Sequence, residues 1–288
     1  MNIDITVLFV CLDDFCKLYE DALKTQVLPS HKQRDRKGLL SLSEMLLIEI
    51  FFHFSRYKDF KHYYLYGICY EHRDKFKKLP SYQRFVSLRK HLFMPLTILL
   101  HSLFGEENGV YFADSTTLKV CNNKRIYNHK VFSEIAARGK SSMGWFYGLK
   151  LHLVVNLKGQ IMALQISPGN MDDRKALTEI SKKLRGKCFA DKGYVGKDIF
   201  YTLWERGLHL VTGIRKNMKQ ILMPYNDKIM LRKRSIIETI FGVLKKNFEL
   251  EHTRHRSTQN AFVHILSTLV AYCFKGKKPK IKTNLLTA

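Results

Sequence analysis

The amino-acid sequence predicts an α/β protein: a mixed five-stranded sheet flanked by helices, preceded by a small all-helical region. Three observations carry that expectation. Apolar residues up to about residue 105 recur at helical spacing, the composition turns to that of strands at Val110, and beyond Ile166 short strands alternate with helices.

Within residues 1–105, the apolar runs Leu39 to Phe54 and Phe93 to Leu103 read as helices, and Pro80-Ser81 marks a helix start. Val110 to Val120 and Tyr147 to Asn156 then have strand composition; in the second, Tyr147, Leu149, Leu151, Leu153 and Val155 share one face. A turn at Lys158-Gly159 leads into Ile161 to Ile166, which makes a hairpin of these two strands. Pro168-Gly169-Asn170 ends it, and Asp172-Asp173 opens a helix with Ala176, Leu177, Ile180 and Leu184 as its apolar stripe. A strand at Lys187 to Asp191, a helix at about Lys197 to Arg206, a strand at Leu208 to Ile214 and one long helix from about Leu231 to Glu249 complete the series. Antiparallel strands followed by strands alternating with helices make a mixed sheet. The domains expected are 1–105, helical; 106–274, sheet-bearing; and 275–288, a basic tail in which Lys275 to Lys282 hold five lysines and no acid.

Hydrophobic residues make up 45% of the 288, ample for a packed core. The 49 Lys+Arg against 25 Asp+Glu leave a net charge of +24, which points to a polyanionic partner, because each phosphate met by Lys or Arg releases condensed counterions. A mere solubility surplus is the alternative. Six scattered cysteines without a CxxC pair and with mostly apolar neighbours read as buried free thiols in a reducing compartment, not as a disulfide framework or a zinc site. The start carries Asp4, Asp13 and Asp14 without a basic stretch, unlike a secretory leader, and the run Ala261 to Phe274 is too short to span a bilayer. The expected location is the cytoplasm, with no membrane partner.

Three carboxylates stand out by position. Asp114 interrupts an apolar strand, Asp191 ends another, and Glu238 sits in the apolar helix stretch Ile236 to Phe241. A carboxylate among core residues is costly unless charge neutralises it. Each alone also reads as a cap, a turn former or a surface ion pair. Together they form an oxygen cage suited to hard cations. They are 77 and 47 positions apart, so only a folded sheet brings them together. Two Mg²⁺ ions about 4 Å apart in such a cage activate a water or a 3′-hydroxyl against a phosphodiester. At 100° per residue, Arg234, Glu238 and Lys245 fall at about 0°, 40° and 20° on one helix, a line of base, acid and base in which both cations are placed to grip phosphates. The alternative for Arg234 is an i, i+4 pair with Glu238 on a solvated face.

The strings Ala113-Asp114-Ser115, Ala190-Asp191-Lys192-Gly193-Tyr194 and Arg234-x3-Glu238-x6-Lys245 resemble the DDE transposases of bacterial insertion sequences, over roughly residues 110 to 270. The resemblance implies a ribonuclease H-like catalytic domain in which Asp114, Asp191 and Glu238 bind Mg²⁺ or Mn²⁺. It also implies cutting at the terminal inverted repeats of an element, joining to target DNA, and at least a homodimer that synapses two ends. The neighbouring Lys192 is expected on DNA. Where several relatives carry a tyrosine three residues before the arginine, this chain has Leu231. A metal-dependent nuclease that never joins, and a DNA-binding protein with a silent site, are the alternatives.

Other features are weaker. Arg56 to Lys78 interleaves Tyr57, Phe60, Tyr63, Tyr64, Tyr66 and Tyr70 with cations, a mix that suits either base stacking or a core. Ser81 to Lys90 is expected as a helix presenting Arg84, Arg89 and Lys90 to DNA. Gly139-Lys140-Ser141 is no P-loop, since Glu134 stands where the first glycine belongs. His252 and His255 read as basic surface beside Arg254 and Arg256, and His129 and His152 as hydrogen-bonded core histidines.

Overall fold

A computed structural model of the chain describes residues 3–26, 38–141, 143–214, 218, 222–251 and 255–281. His252, Arg254 and Lys282 lie outside them. In chain order the helices α1 (Ile5–Gln26), α2 (Leu42–Phe51), α3 (Phe60–His62, continued by a π-helical stretch Tyr63–Glu71), α4 (Tyr82–Leu88) and α5 (Phe93–Ser102) come first. Then follow β1 (Val110–Cys121), β2 (Ala137–Ser141), β3 (Gly144–Asn156), β4 (Ile161–Pro168), α6 (Asp173–Ile180), β5 (Gly186–Ala190), α7 (Lys197–Glu205), β6 (Leu208–Thr212), α8 (Tyr225–Arg232), α9 (Ser235–Lys246) and α10 (Thr258–Phe274).

The chain divides into two compact units: Met1–Leu103 with Lys246–Leu250 and His255–Lys275, and Phe104–Lys245 with Glu251–Arg254 and Gly276–Ala288. The first is helical. Its helices start where the sequence supplies caps: Ser41 and Glu44 form a reciprocal capping box on α2, Ser81 caps α4 and Ser257 caps α10. The last helix, within the span expected for the sheet-bearing domain, packs on α5 and α2 in this unit. At its centre the buried His53 donates from Nδ1 to the Phe248 carbonyl at 2.8 Å, and its Nε2 lies 2.8 Å from Ser267 Oγ. Of the aromatic run, Phe60, Tyr63 and Tyr64 are core, while Tyr66 and Tyr70 are exposed.

The second unit is a six-stranded mixed sheet with helices against it, as the ribonuclease H-like expectation requires, but with one strand more than the five expected. β1, β3 and β4 are antiparallel neighbours, and β5 and β6 continue the sheet parallel to β1. α6 and α7 cover one face, with Leu177, Ile199 and Leu203 among Tyr111, Val154, Cys188 and Leu210. The additional strand, β2, pairs with β3 at Gly144 to Gly148, and β4 takes the same edge from Leu149 onward. Glycines make that abutment feasible. A Cβ on Gly139 would stand 2.1 Å from the Gly169 carbonyl oxygen, one on Gly148 2.1 Å from that of Leu118, and one on Gly169 2.6 Å from that of Ala137.

The single long helix expected from Leu231 to Glu249 is two. α8 ends at Arg232 and α9 begins at Ser235, because the run Arg232-Lys233-Arg234 sits at a helix C-terminus, where the carbonyl dipole favours cations. On α9, Ile237, Ile240 and Leu244 are fully buried, each contributing about 1.5–3 kcal/mol. Of the basic tail, the described part is tied back where the Ile281 N–H donates to the Leu157 carbonyl at 2.9 Å. No disulfide joins the six cysteines; Cys16 and Cys188 are buried as expected, Cys69, Cys121 and Cys273 only partly so, and Cys11 is exposed. No helix among the described residues is long and apolar enough to cross a membrane.

Candidate active site

Strand pairing delivers the two aspartates to one place. Ala113 and Ala190 are the last paired residues of β1 and β5, so Asp114 and Asp191 are the next residue on each strand. β5 stops there, and Asp191 leads a 3-10 turn, Lys192–Tyr194, closed by the Tyr194 N–H donating to the Asp191 carbonyl at 3.0 Å. β1 continues past Asp114, paired only with β3. Glu238 lies in the first turn of α9, four residues after Arg234.

The three acids surround one cation. Arg234 donates from one guanidinium nitrogen to Asp114 Oδ2 at 3.1 Å, and its other nitrogen lies 3.1 Å from Glu238 Oε1 and 3.6 Å from Asp191 Oδ1. The Arg234 and Asp114 side chains are 19% and 22% exposed; those of Asp191 and Glu238 are 56% and 58% exposed. The cluster is therefore more enclosed at Asp114 and open at the other two acids. Asp114 Oδ1 accepts the Ser115 N–H at 2.8 Å, which fixes the carboxylate plane. Burial pushes the Asp114 carboxyl up to about 6, with Asp191 and Glu238 adding to the rise and the Ser115 N–H and Arg234 opposing it.

Among the described residues no group of three or more His, Cys, Asp or Glu stands in metal-holding geometry. The donor set nevertheless fits a hard divalent cation: carboxylate oxygens alone, gathered on a guanidinium that stands where such a charge would go. The i, i+4 pairing of Arg234 with Glu238 is thus present, and it extends to both aspartates.

Lys245 holds α9 to β1. Its Nζ donates to the Thr117 carbonyl, three residues beyond Asp114, at 2.7 Å, and to Glu251 at 3.1 Å. Lys192 is exposed beside Asp191, its methylenes lying against Gly213. In the helical unit Arg84 and Lys90 are exposed. Arg89, expected to face DNA, is instead buried. Its guanidinium grips both oxygens of the fully buried Glu49, with Nε to Oε2 at 2.8 Å, and stacks over Phe60 at 4.4 Å. A charge so enclosed reaches no phosphate.

One cluster was not foreseen. On the other face of β1, Asp173 at the start of α6 accepts from Ser115 Oγ and from Lys150 Nζ, each at 3.0 Å. His152 Nδ1 lies 3.6 Å from the same oxygen, and its Nε2 is 2.7 Å from Ser167 Oγ. Burial holds His152 down at about 4 despite Asp173, as expected of a neutral core histidine. The available signal was register: Ser115 pairs with His152, which puts both on one face of the sheet.

A family model described as a transposase DDE domain matches residues 104–258. No curated protein matches the sequence. Among solved structures, the chain is similar to a piggyBac transposase synaptic complex with hairpin DNA, at 11% identity and a TM-score of 0.46, over 97% of this chain and 78% of that one. It is also similar to the Mos1 strand transfer complex, at 11% identity and a TM-score of 0.25 over 96% and 97% of the two chains. A Mos1 mariner paired end complex with Mn gives 10% identity and a TM-score of 0.23 over 96% and 98%.

Proposed function

Because the chain belongs to the DDE-domain transposase family, whose model spans more than half of it, we propose that it binds the terminal inverted repeats of a mobile DNA element, cuts there and joins the ends to target DNA. The convergence of Asp114, Asp191 and Glu238 on one guanidinium carries this reading. Carboxylates that gather on a single positive charge are the groups that would hold Mg²⁺ or Mn²⁺. Such ions, when bound, activate a water or a 3′-hydroxyl and stabilise the leaving oxygen of a phosphodiester.

The residues divide the remaining work. Asp114 keeps its orientation through the Ser115 N–H, and Lys245 secures the helix that carries Glu238 to the strand that carries Asp114. Arg234 exchanges its carboxylate partners for a substrate phosphate, one anion for another. Lys192, Arg84 and Lys90 add phosphate contacts, and the +24 charge makes affinity fall steeply with salt. Two ends held together call for at least a homodimer.

The test is incubation with Mg²⁺ and labelled DNA bearing the element's own ends, alongside Asp191→Asn. The parent cuts and forms a joined product, and the variant does neither. Cutting without a joined product would assign a nuclease, and unchanged cutting by Asp191→Asn would remove that carboxylate from the chemistry.

A further inference from the structure

β2 and the start of β3 form a hairpin that none of the chemistry above uses. Lys140 pairs with Trp145 and Arg138 with Tyr147, while Gly139 pairs with Phe146. Alternation along a strand therefore puts Arg138, Lys140 and Trp145 on one face and the buried Gly139 and Phe146 on the other. The exposed face is organised. The Arg138 guanidinium lies 4.8 Å and the Lys140 ammonium 5.8 Å from the centroid of the Trp145 indole, which remains 53% exposed. Asn123 Nδ2 donates to the Trp145 carbonyl at 2.9 Å, which ties the start of the turn bearing the exposed Lys124 and Arg125 to this strand. Residues 119–146 hold six Lys or Arg and a single acid, Glu134.

The hairpin also lies at the end of the sheet that matters. β1 runs parallel to β5, and the paired β1 and β3 continue in that direction after β5 stops beside Asp114. From Asp114 to Cys121, and on to Trp145 beyond its partner Tyr147, the strands cover roughly 25–30 Å at about 3.3 Å per residue. That is roughly 7–9 base pairs of B-DNA at about 3.4 Å each.

We propose that the β2–β3 hairpin, through Arg138 and Lys140 beside the Trp145 indole and Lys124 and Arg125 on the adjoining turn, grips the backbone of duplex DNA less than one helical turn from the phosphate that Arg234 takes beside Asp114. The inference rests on the transposase reading. Charge selects the occupant: an exposed indole with two cations on it and two more on the adjoining turn repels a basic partner and matches a polyanion. The indole holds two of the cations in place and meets the DNA with its open half.

The experiment measures affinity for a labelled duplex, several turns long and of arbitrary sequence, across a salt series. In the Arg138→Gln/Lys140→Gln variant, the slope of log affinity against log salt falls by about two. It is retained in the charge-preserving Arg138→Lys/Lys140→Arg variant and in Lys182→Gln/Lys183→Gln, which loses two charges from the turn after α6. Circular dichroism melts check that all fold. Trp145 and Trp204 are the only tryptophans, so in a Trp204→Phe background the emission reports Trp145 alone, and added duplex shifts it. If the parent binds but the slope survives Arg138→Gln/Lys140→Gln, or drops equally in the α6 control, the hairpin proposal is overturned while the DNA reading stands. A parent that binds no duplex at low salt overturns both.

Discussion

Arg234 and Asp114 are 120 residues apart in the chain, and their side chains meet at 3.1 Å. The cation that meets all three acids thus belongs to the same short segment as one of them, Glu238. Whatever moves Arg234 changes the charge felt by all three carboxylates.

Arg234→Gln leaves these acids facing one another without the guanidinium between them. In chelator the variant is less stable by about 1–3 kcal/mol, mostly through Asp114, since Asp191 and Glu238 are more than half exposed. Millimolar Mg²⁺ then raises its melting temperature more than it raises the parent's. Equal responses in thermal melts would show that the guanidinium and the ion do not compete for one place.

Asp114 supplies a pH signature in the metal-free protein. Its carboxyl is pushed up to about 6, first by burial, above the ordinary 3.8. The fold therefore binds the extra proton between these values, and the stability it contributes is present at low pH and lost as pH rises through about 6. Asp114→Asn lacks this loss. Urea unfolding at about pH 4.5 and about pH 7.5 should show the variant gaining on the parent by on the order of 2 kcal/mol at the higher pH. A constant difference would mean that Asp114 titrates normally.

Arg89 is predicted to matter for folding rather than for DNA. Arg89→Met strands the buried Glu49 and costs about 3–5 kcal/mol, and adding Glu49→Leu recovers most of it. Denaturant unfolding reads both effects. Weakened DNA binding by Arg89→Met at unchanged stability would contradict the placement of Arg89.

His53 makes the helical unit sensitive to acid. Burial brings it down to about 3 from 6.5, against the pull of the Phe248 carbonyl. A depressed value means stability that is present above about pH 6.5 and lost as pH falls toward 3. His53→Phe flattens this acid limb yet costs about 1–3 kcal/mol at neutral pH, because the Phe248 carbonyl loses its donor. Stability profiles over that range that superimpose for parent and variant would refute it.

The strands bearing Asp114 and Asp191 were legible because a carboxylate at the end of an apolar run is conspicuous, and the β3–β4 hairpin because its alternation is regular. β2 was not, since Arg138-Gly139-Lys140 has neither alternation nor branched residues, and its pairing depends on close backbone approach. The break at Lys233-Arg234 was hidden by an apolar period that continues across it. Arg89 looked solvated because its partner Glu49 is 40 residues away and lies in a helix that reads as mainly apolar. Asp173 was read only as a helix opener, although Ser115 and Lys150 reach it from two strands. Periodicity finds elements; long-range charge pairing is invisible to it.

The glycines at 139, 148 and 169 have a mechanical consequence. With the backbone of Ala137 and Gly139 pressed against Gly169, and that of Gly148 against Leu118, β2 has little slack to tilt about its junction with β4. The tip bearing Trp145 is therefore a strut rather than a hinged flap, its posture set once, when the sheet forms. Enlarging any of the three side chains would loosen that brace while leaving every acid in the neighbouring cluster untouched.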